Sequence, residues 1–161
     1  MTRIILVRHA KSDWGQGLPD HDRPLNDRGE RAADAVGAWL AREGYRPDLV
    51  LCSDATRTRQ TSARIWQAAG WTPEVRHDRA LYHAAPEAML AALQEAEADC
   101  IALVAHNPGT AMLAAMLVRT PPDHPRFEDY PTAATTVIDF ENTIEKGHGT
   151  PVAFIVPRDL E

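Results

Sequence analysis

The sequence lacks the features that mark exported, disulfide-linked or membrane-spanning proteins. Two cysteines in 161 residues are too few for a disulfide framework. The longest apolar run covers residues 111–118, far short of the roughly 20 residues that span a bilayer. The apolar run at the N-terminus covers only residues 4–7, which is too short for the core of a signal peptide. We therefore expect a cytoplasmic protein with no membrane segment.

The chain also lacks an excess of positive charge and the glycine pattern of dinucleotide-binding folds. Its formal net charge is −6, whereas a nucleic-acid partner would require a basic face. No Gly-x-Gly-x-x-Gly follows the first apolar run, so a dinucleotide-binding fold is not expected. Any anion-binding site must therefore be a local concentration of arginine within an acidic protein.

What the sequence does contain is a regular alternation of strand and helix patterns. Three compact apolar runs are typical of strands buried on both faces. These runs cover residues 4–7, 49–52 and 101–105. Helical patterns lie between and after them, and two further strands, at residues 135–140 and 152–156, follow each other without a helix. This order predicts a three-layer α/β/α sandwich in one domain over residues 1–161, with a mostly parallel sheet, helices on both faces and one antiparallel strand.

Capping residues predict where the first two helices begin and end. Asn26 can cap a helix that runs to about residue 43, and Gly44 is placed to end it. Ser53 or Asp54 can cap the second helix. The long polar stretch before Asn26 is interpreted as a loop, and loops of this length inside compact domains are usually functional or disordered.

Polar residues of the same few types follow the three apolar runs. Arg8 and His9 come directly after the first run, and His106 comes directly after the third. Arg57 lies one helical turn beyond the end of the second run. In open α/β sheets, ligands bind beyond the carboxyl ends of the strands. We therefore expect two arginines and two histidines to meet at one edge of the sheet.

These segments resemble the motifs of a known enzyme family. Val-Arg-His-Ala at residues 7–10 resembles the Arg-His-Gly signature of the histidine phosphatase superfamily, which includes the phosphoglycerate mutases. Ser-x-x-x-Arg-x-x-Gln-Thr at residues 53–61 is similar to its second motif, and Val-Ala-His-Asn-Pro at residues 104–108 is similar to its third. The short chain, with Asp-Arg-Pro-Leu at residues 22–25 and His-Asn-Pro-Gly at residues 106–109, resembles the SixA-like phosphohistidine phosphatase branch.

The resemblance implies a mechanism and a phosphoglycerate mutase-like fold. His9 is then the nucleophile, which attacks phosphorus as a neutral imidazole and forms a phosphohistidine that water hydrolyses. A carbonyl group that holds its other N–H would fix the tautomer. Arg8 and Arg57 would clamp the phosphoryl oxygens, because arginine offers a planar fork to two oxygens at once. His106 would donate an N–H to the transferring group. The mechanism requires no metal and no cofactor.

Further residues are expected to contact the substrate. The family comparison puts the loop that carries Arg23 beside the phosphate, so Arg23 is expected to join the clamp. Ser12 and Asp20 belong to the same loop, and Asn107 is expected to add a hydrogen bond. Ala10 stands where many members have glycine, which serves close approach of the backbone, but SixA-like members vary at this position, so the resemblance holds despite the difference.

One acid of the family pattern is missing. Mutase-like members carry a glutamate after the second helix, but residues 80–86 contain no carboxylate. A protonated acid matters most for a poor leaving group such as an alkoxide, whereas imidazole, whose conjugate acid has a pKa of about 6.5, needs little help. The missing glutamate therefore favours phosphohistidine as the substrate. Asp20, Asp22 and His83 remain candidates for an acid, with Asp20 first because its loop should face the site.

The expected partner is a protein that carries phosphohistidine, either a signalling phosphotransfer domain or a sugar-transport phosphocarrier. Three alternatives stay open: a small-molecule phosphomonoesterase of the same superfamily, an adaptor that grips phosphate without turnover, and a metal hydrolase. The metal site would use His9, Asp20, Asp22, His83 and His106. Two flanking arginines argue against a metal, because their charges repel a cation.

Overall fold

One six-stranded β-sheet and four α-helices account for the alternating pattern, and the computed structural model describes all residues from 1 to 161. The strands are β1 (Thr2–Arg8), β2 (Leu49–Ser53), β3 (Glu74–Asp78), β4 (Cys100–Ala105), β5 (Thr135–Phe140) and β6 (Thr150–Ile155). The helices are α1 (Asp27–Glu43), α2 (Thr56–Ala69), α3 (Pro86–Glu95) and α4 (Gly109–Leu117). Short 3-10 turns cover Asp20–Asp22, Arg79–Leu81 and Pro157–Leu160.

The strands follow the order β3-β2-β4-β1-β5-β6 across the sheet. The first four in this order are parallel, whereas β5 runs antiparallel to both of its neighbours. Parallel neighbours need a crossover, which the helices provide, but the segment of residues 141–149 joins β5 to β6 without one. The predicted antiparallel strand is therefore β5.

Each face of the sheet buries its own apolar layer. Along β1, Ile4 and Leu6 belong to the layer that contains α3 and α4, whereas Ile5 and Val7 belong to the layer that contains α1 and α2. Successive side chains of a strand point to opposite faces, so a strand covered on both sides needs an unbroken apolar run. Each fully buried side chain of this kind stabilises the fold by roughly 1.5–3 kcal/mol. The predicted three-layer α/β/α sandwich is confirmed.

The ends of α1 are those that the sequence predicts. The Asn26 side chain accepts a hydrogen bond from the Gly29 N–H at 2.8 Å, and Gly44 ends the helix in the left-handed region at φ 73°. A Cβ at Gly29 would collide with the Lys11 carbonyl group, so this glycine lets the β1–α1 loop pass directly over the helix. None of the helices, of which α1 is the longest with 17 residues, has the length and apolar character that a membrane span requires.

The loop between β1 and α1 is folded back on itself. A backbone bridge joins Ser12 to Leu25, and the Asp20–Asp22 turn lies between these two residues. The Leu25 N–H also donates to the Gln60 side chain at 2.8 Å, which ties the loop to α2. The polar stretch predicted as a loop is therefore a fixed segment of the carboxyl edge rather than a free connection.

Candidate active site

The carboxyl ends of neighbouring parallel strands meet at one edge of the sheet. Arg8 ends β1 and lies beside Ala105, which ends β4, so His9 and His106 follow at the same level. The centroids of these two imidazole rings are 5.3 Å apart. Arg57 lies in the first turn of α2, which follows β2. The residues predicted from the three strand ends therefore line one cavity.

This cavity has a volume of about 290 Å³ and contains every residue of the predicted catalytic and substrate-binding sets. These residues are Arg8, His9, Ser12, Asp20, Arg23, Arg57, His106 and Asn107. Lys11, Trp14, His83 and Thr132 complete the lining. Asp22, one of the candidate acids, is exposed and lies outside the cavity.

His9 is a neutral imidazole with one free ring nitrogen. Its Nδ1 lies 2.8 Å from the Ala10 carbonyl oxygen, and because a carbonyl group can only accept, Nδ1 carries the proton. This is the tautomer that the mechanism requires, and it leaves a lone pair on Nε2. The pKa of His9 is lowered to about 3, mainly by burial; the hydrogen bond to the Ala10 carbonyl group opposes this decrease, and the charges of three nearby guanidinium groups add to it. The imidazole is therefore uncharged at neutral pH.

His106 is almost fully buried beside His9. Its Nε2 lies 2.8 Å from the Ser53 hydroxyl oxygen, while its Nδ1 has no hydrogen-bond partner within the protein. Burial, together with the neighbouring His9 and Arg57, lowers the pKa of His106 to about 2. If the Ser53 hydroxyl donates to Nε2, the proton of the ring resides on Nδ1, which is buried and has no acceptor within the protein.

Arg57 is buried, Arg8 is half-buried, and both have unused donors. Arg57 is 2% exposed and donates to the backbone carbonyl and the carboxylate of Asp20, at 2.7 and 3.0 Å. Arg8 donates to the Tyr130 carbonyl oxygen at 3.1 Å, and burial lowers the pKa of Arg8. Three buried side-chain atoms in the chain lack a partner within the protein: Arg8 Nε, Arg57 Nε and His106 Nδ1. Such atoms are rare in folded proteins, and their convergence suits an anionic ligand.

Arg23 is the third arginine of the cavity. It is 7% exposed, and its guanidinium carbon lies 3.5 Å from the ring centroid of Trp14. It also donates hydrogen bonds to the Ser12 hydroxyl at 2.7 Å, to the Asp20 carboxylate at 3.1 Å and to the Asp13 carbonyl oxygen at 3.5 Å. Ser12 therefore orients Arg23, and the direct contact of either residue with substrate stays a prediction.

Asp20 lies in the cavity, where its carboxylate accepts hydrogen bonds and carries no proton to donate. Burial on its own would raise the pKa of Asp20, but four hydrogen-bond donors outweigh it and hold the pKa well below its usual range. These donors belong to Tyr82, His83, Arg57 and Arg23. In this geometry Asp20 is an ionised acceptor, and its expected role as proton donor stays a prediction. As a carboxylate, it also repels phosphoryl oxygens and occupies donors that they would use.

Asn107 and Ala10 support the backbone around the site. The Asn107 amide donates to the Tyr130 carbonyl oxygen at 3.0 Å and accepts from the Ala111 N–H at 3.2 Å. Both the nitrogen and the oxygen of this amide therefore already have hydrogen-bond partners within the protein. The expected hydrogen bond from Asn107 to the substrate stays a prediction. The Ala10 N–H donates to the Thr61 hydroxyl at 2.9 Å, and Ala10 is not in the left-handed region. Alanine therefore fits this position without the conformational freedom of glycine.

Ser53 and Tyr82 shape the site without being predicted to do so. The sequence predicts Ser53 or Asp54 as the cap of α2, but the N-cap is Ala55, which makes no side-chain hydrogen bond. Ser53 ends a buried strand and binds His106, and its position at that strand end was the available signal. Tyr82 donates to the Asp20 carboxylate, and nothing in the sequence around it indicates this role.

The residues named for a metal site do not form a ligand set. No group of three or more His, Cys, Asp or Glu side chains in the structure could hold a metal ion. His9 and His106 are bonded to a carbonyl and a hydroxyl group, and Asp20 is paired with arginines. The arrangement is that of an anion site.

Comparisons with known proteins identify the family. The model of the histidine phosphatase superfamily (branch 1) matches residues 4–85. A protein of Mycobacterium tuberculosis (strain ATCC 25618 / H37Rv) is 35% identical over 162 residues, which covers 94% of this chain and 100% of the relative.

Two solved structures, which carry the name SixA and come from Agrobacterium tumefaciens and Nakamurella multipartitia, are each 30% identical to this chain. Their TM-scores are 0.80 and 0.78, and the matches cover 97% of this chain and 98% and 96% of theirs. The chain therefore belongs to the histidine phosphatase superfamily, branch 1, and within it to the SixA-like group.

Proposed function

We propose that this phosphatase uses His9 as its nucleophile and removes phosphoryl groups from phosphohistidine on partner proteins. The observation that carries the proposal is a neutral His9 whose free Nε2 shares one cavity with the guanidinium groups of Arg8 and Arg57. The resemblance to the two SixA structures supports this class of substrate.

In the first step, His9 Nε2 attacks phosphorus, and the bond between phosphorus and the substrate nitrogen breaks. The Nδ1 proton stays on His9, bonded to the Ala10 carbonyl oxygen, so the product is a phosphorylated imidazolium. The substrate ring leaves with the bonding electron pair and departs as neutral imidazole when its second nitrogen is protonated. Charge on the equatorial phosphoryl oxygens is stabilised by Arg8 and Arg57, which are oriented before the substrate binds.

In the second step, a water molecule attacks phosphorus and the bond to His9 Nε2 breaks. The electron pair returns to Nε2, inorganic phosphate leaves, and the proton of the water passes to phosphate or solvent. His106 contributes its Nδ1, which has no partner within the protein and can donate to a phosphoryl oxygen in both steps. Both transfers thus use the same donors.

The cavity supplies no protonated carboxyl group for a poor leaving group. Asp20 is ionised and bonded to arginine, and Asp22 lies outside the cavity. His83 remains the candidate for a proton donor, although its Nε2 is 3.0 Å from the Asp20 carboxylate. An alkoxide needs a donor more than imidazole does, so this site favours P–N over P–O bonds.

The mouth of the cavity is open to a side chain carried by another protein. Trp14 is 76% exposed at its rim, and half of the His83 side chain is exposed. Both side chains are therefore open to solvent at the mouth of the cavity that contains His9, and a phosphorylated imidazole on a folded domain is expected to enter there. This access supports a protein substrate rather than a small molecule that needs to be enclosed.

The deciding experiment compares a phosphohistidine-bearing phosphotransfer domain with phosphoserine peptides, with phosphate release followed by phosphorus-31 NMR. We expect phosphate release from the phosphohistidine protein to be the faster reaction, with full activity in EDTA. Faster turnover of the serine esters would support the small-molecule or ester alternative. Binding without release would support the adaptor, and activity lost in EDTA and restored by a metal would support the metal hydrolase.

A further inference from the structure

A second cavity lies directly beside the candidate active site. It has a volume of about 190 Å³ and shares Lys11 and Thr132 with the active-site cavity. Cations provide four of its nine lining residues, and no carboxylate lines it. We name it the basic cavity and define it by Lys11, Arg28, Arg126 and Arg158. Its charge is the reverse of that of the chain, which has 23 acidic and 17 basic residues.

The four cations come from segments that are far apart in the sequence. Lys11 lies in the β1–α1 loop, Arg28 in the first turn of α1, Arg126 in the loop before β5 and Arg158 in the C-terminal 3-10 turn. All four side chains are exposed. The fold brings them together, so the cluster is not the solvated face of one charged run.

Pairing within the chain accounts for several other arginines but not for most of this cluster. Arg3 pairs with Asp139 at 2.7 Å, and Arg64 binds two carboxylates of α1 at 2.7 and 2.8 Å. In the basic cavity, Arg126 pairs with Asp129 at 3.0 Å, while the other three cations have no carboxylate within ion-pair distance. An anion from outside the chain would relieve the repulsion among them.

We propose that the basic cavity binds acidic side chains of the phosphorylated protein substrate while its phosphoryl group enters the active site. The inference rests on the proposed function, because it assigns a partner surface to the same site. Lys11 and Thr132 line both cavities, so one protein segment lying across them would reach both. Exposed cationic side chains suit this encounter, because they speed association with an acidic partner and orient it.

The net negative charge of the protein makes the four cations of the basic cavity important for binding an acidic partner. At −6 the chain repels acidic proteins in general, so an acidic substrate has to be recognised by a local basic surface. Each exposed ion pair changes affinity by only about 1.4- to 5-fold. Removal of two cations is therefore expected to weaken binding of an acidic partner by roughly 2- to 25-fold.

The test uses fluorescent peptides that carry a stable phosphonate analogue of phosphohistidine, flanked either by glutamates or by glutamines. Fluorescence anisotropy measures their binding to the wild-type protein and to the double variant Arg28→Gln/Arg158→Gln. The matched control is Arg42→Gln/Arg46→Gln, which removes two exposed arginines that line neither cavity and changes the net charge equally. We expect the wild-type protein to bind the glutamate peptide more tightly than the glutamine peptide. The Arg28/Arg158 variant should lose this preference and the control should keep it. Added salt should weaken the preference in the wild-type protein.

Three results would each overturn the inference. They are the absence of a preference for the glutamate peptide in the wild-type protein, a loss of this preference in the control variant as full as in the Arg28/Arg158 variant, and the failure of both peptides to bind. Inorganic pyrophosphate is the comparison ligand: if the double variant loses affinity for it but keeps the glutamate preference, the cavity binds small polyanions instead. Failure of the proposed function is a separate result, seen as absence of phosphohistidine hydrolysis by the wild-type protein. A glutamate preference without hydrolysis would reject that function and leave the partner surface standing.

Discussion

The active-site cavity and the basic cavity use arginine in opposite ways, although they share Lys11 and Thr132. In the active site, Arg57 is buried and fixed by hydrogen bonds. In the basic cavity, Arg28 and Arg158 are exposed. A buried, oriented guanidinium group acts strongly on charge because little water screens it, whereas an exposed one changes affinity only a few-fold. From this contrast we expect the chemistry in one cavity and, if the proposal holds, selection of a partner by the other.

The largest expected effect is that of His9→Ala. Loss of the nucleophile should lower kcat for phosphohistidine hydrolysis by roughly 10⁴- to 10⁶-fold. The fold should persist, because this side chain lies at a strand end and fills little of the apolar layers, and circular dichroism would check it. His77→Ala, an exposed histidine outside the cavity, is the matched control and should keep full activity. Retained turnover in the His9 variant would end the proposed mechanism, whereas an inactive variant should capture the substrate from a cell extract.

Arg57→Ala should have the next largest effect. Loss of a buried donor to the transition state is expected to lower kcat/KM by roughly 10²- to 10³-fold. Arg59→Ala removes an exposed arginine two residues along the same helix, whose side chain donates to a backbone carbonyl of Asp54, and should change kcat/KM little. A decrease of only a few-fold for Arg57, similar to that expected for Arg28, would remove the distinction between the two cavities.

The protonation state of the two active-site histidines gives a smaller but well-defined effect. The pKa of His9 is lowered to about 3, so its neutral, reactive form should persist as the pH falls from 7 to 5. A histidine with the ordinary pKa of about 6.5 would lose roughly 25-fold of its neutral form over the same interval. A ¹H–¹⁵N NMR titration of the rings would show whether His9 and His106 remain neutral. A midpoint near the ordinary value for His9 would contradict the burial of this side chain.

The two cavities also differ in how much of each could be predicted from the sequence. The apolar runs and the residues that end them predict the sheet and the meeting of His9 with His106, because strand ends in a parallel sheet lie at one edge. The basic cavity was not predictable, since Lys11 and Arg158 become neighbours only through tertiary packing. The ionisation of Asp20 was not predictable for a similar reason: it depends on Arg57 and on Tyr82 and His83, which come from two other segments of the chain, as well as on Arg23 of its own loop.

The smallest expected effect is that of Asp20→Asn, which tests whether this residue competes with the phosphoryl group or protonates the leaving group. The carboxylate binds Arg23 and Arg57 at 3.0 Å each, and an amide of similar size would leave both arginines without a paired charge. The inhibition constant for inorganic phosphate should then fall by about 5-fold, which corresponds to the free energy of one partly exposed ion pair. KM should fall in parallel, while kcat is preserved.

Asp22→Asn is the matched control for this change, because Asp22 is exposed, two residues away and outside the cavity. It removes the same charge and should leave inhibition by phosphate unaltered. A general acid at Asp20 predicts the opposite pattern, in which the Asn variant loses kcat and keeps KM, most of all with an alkoxide leaving group. That outcome would mean that Asp20 releases the two arginines and takes up a proton when substrate binds, and that the cavity is suited to phosphate esters after all.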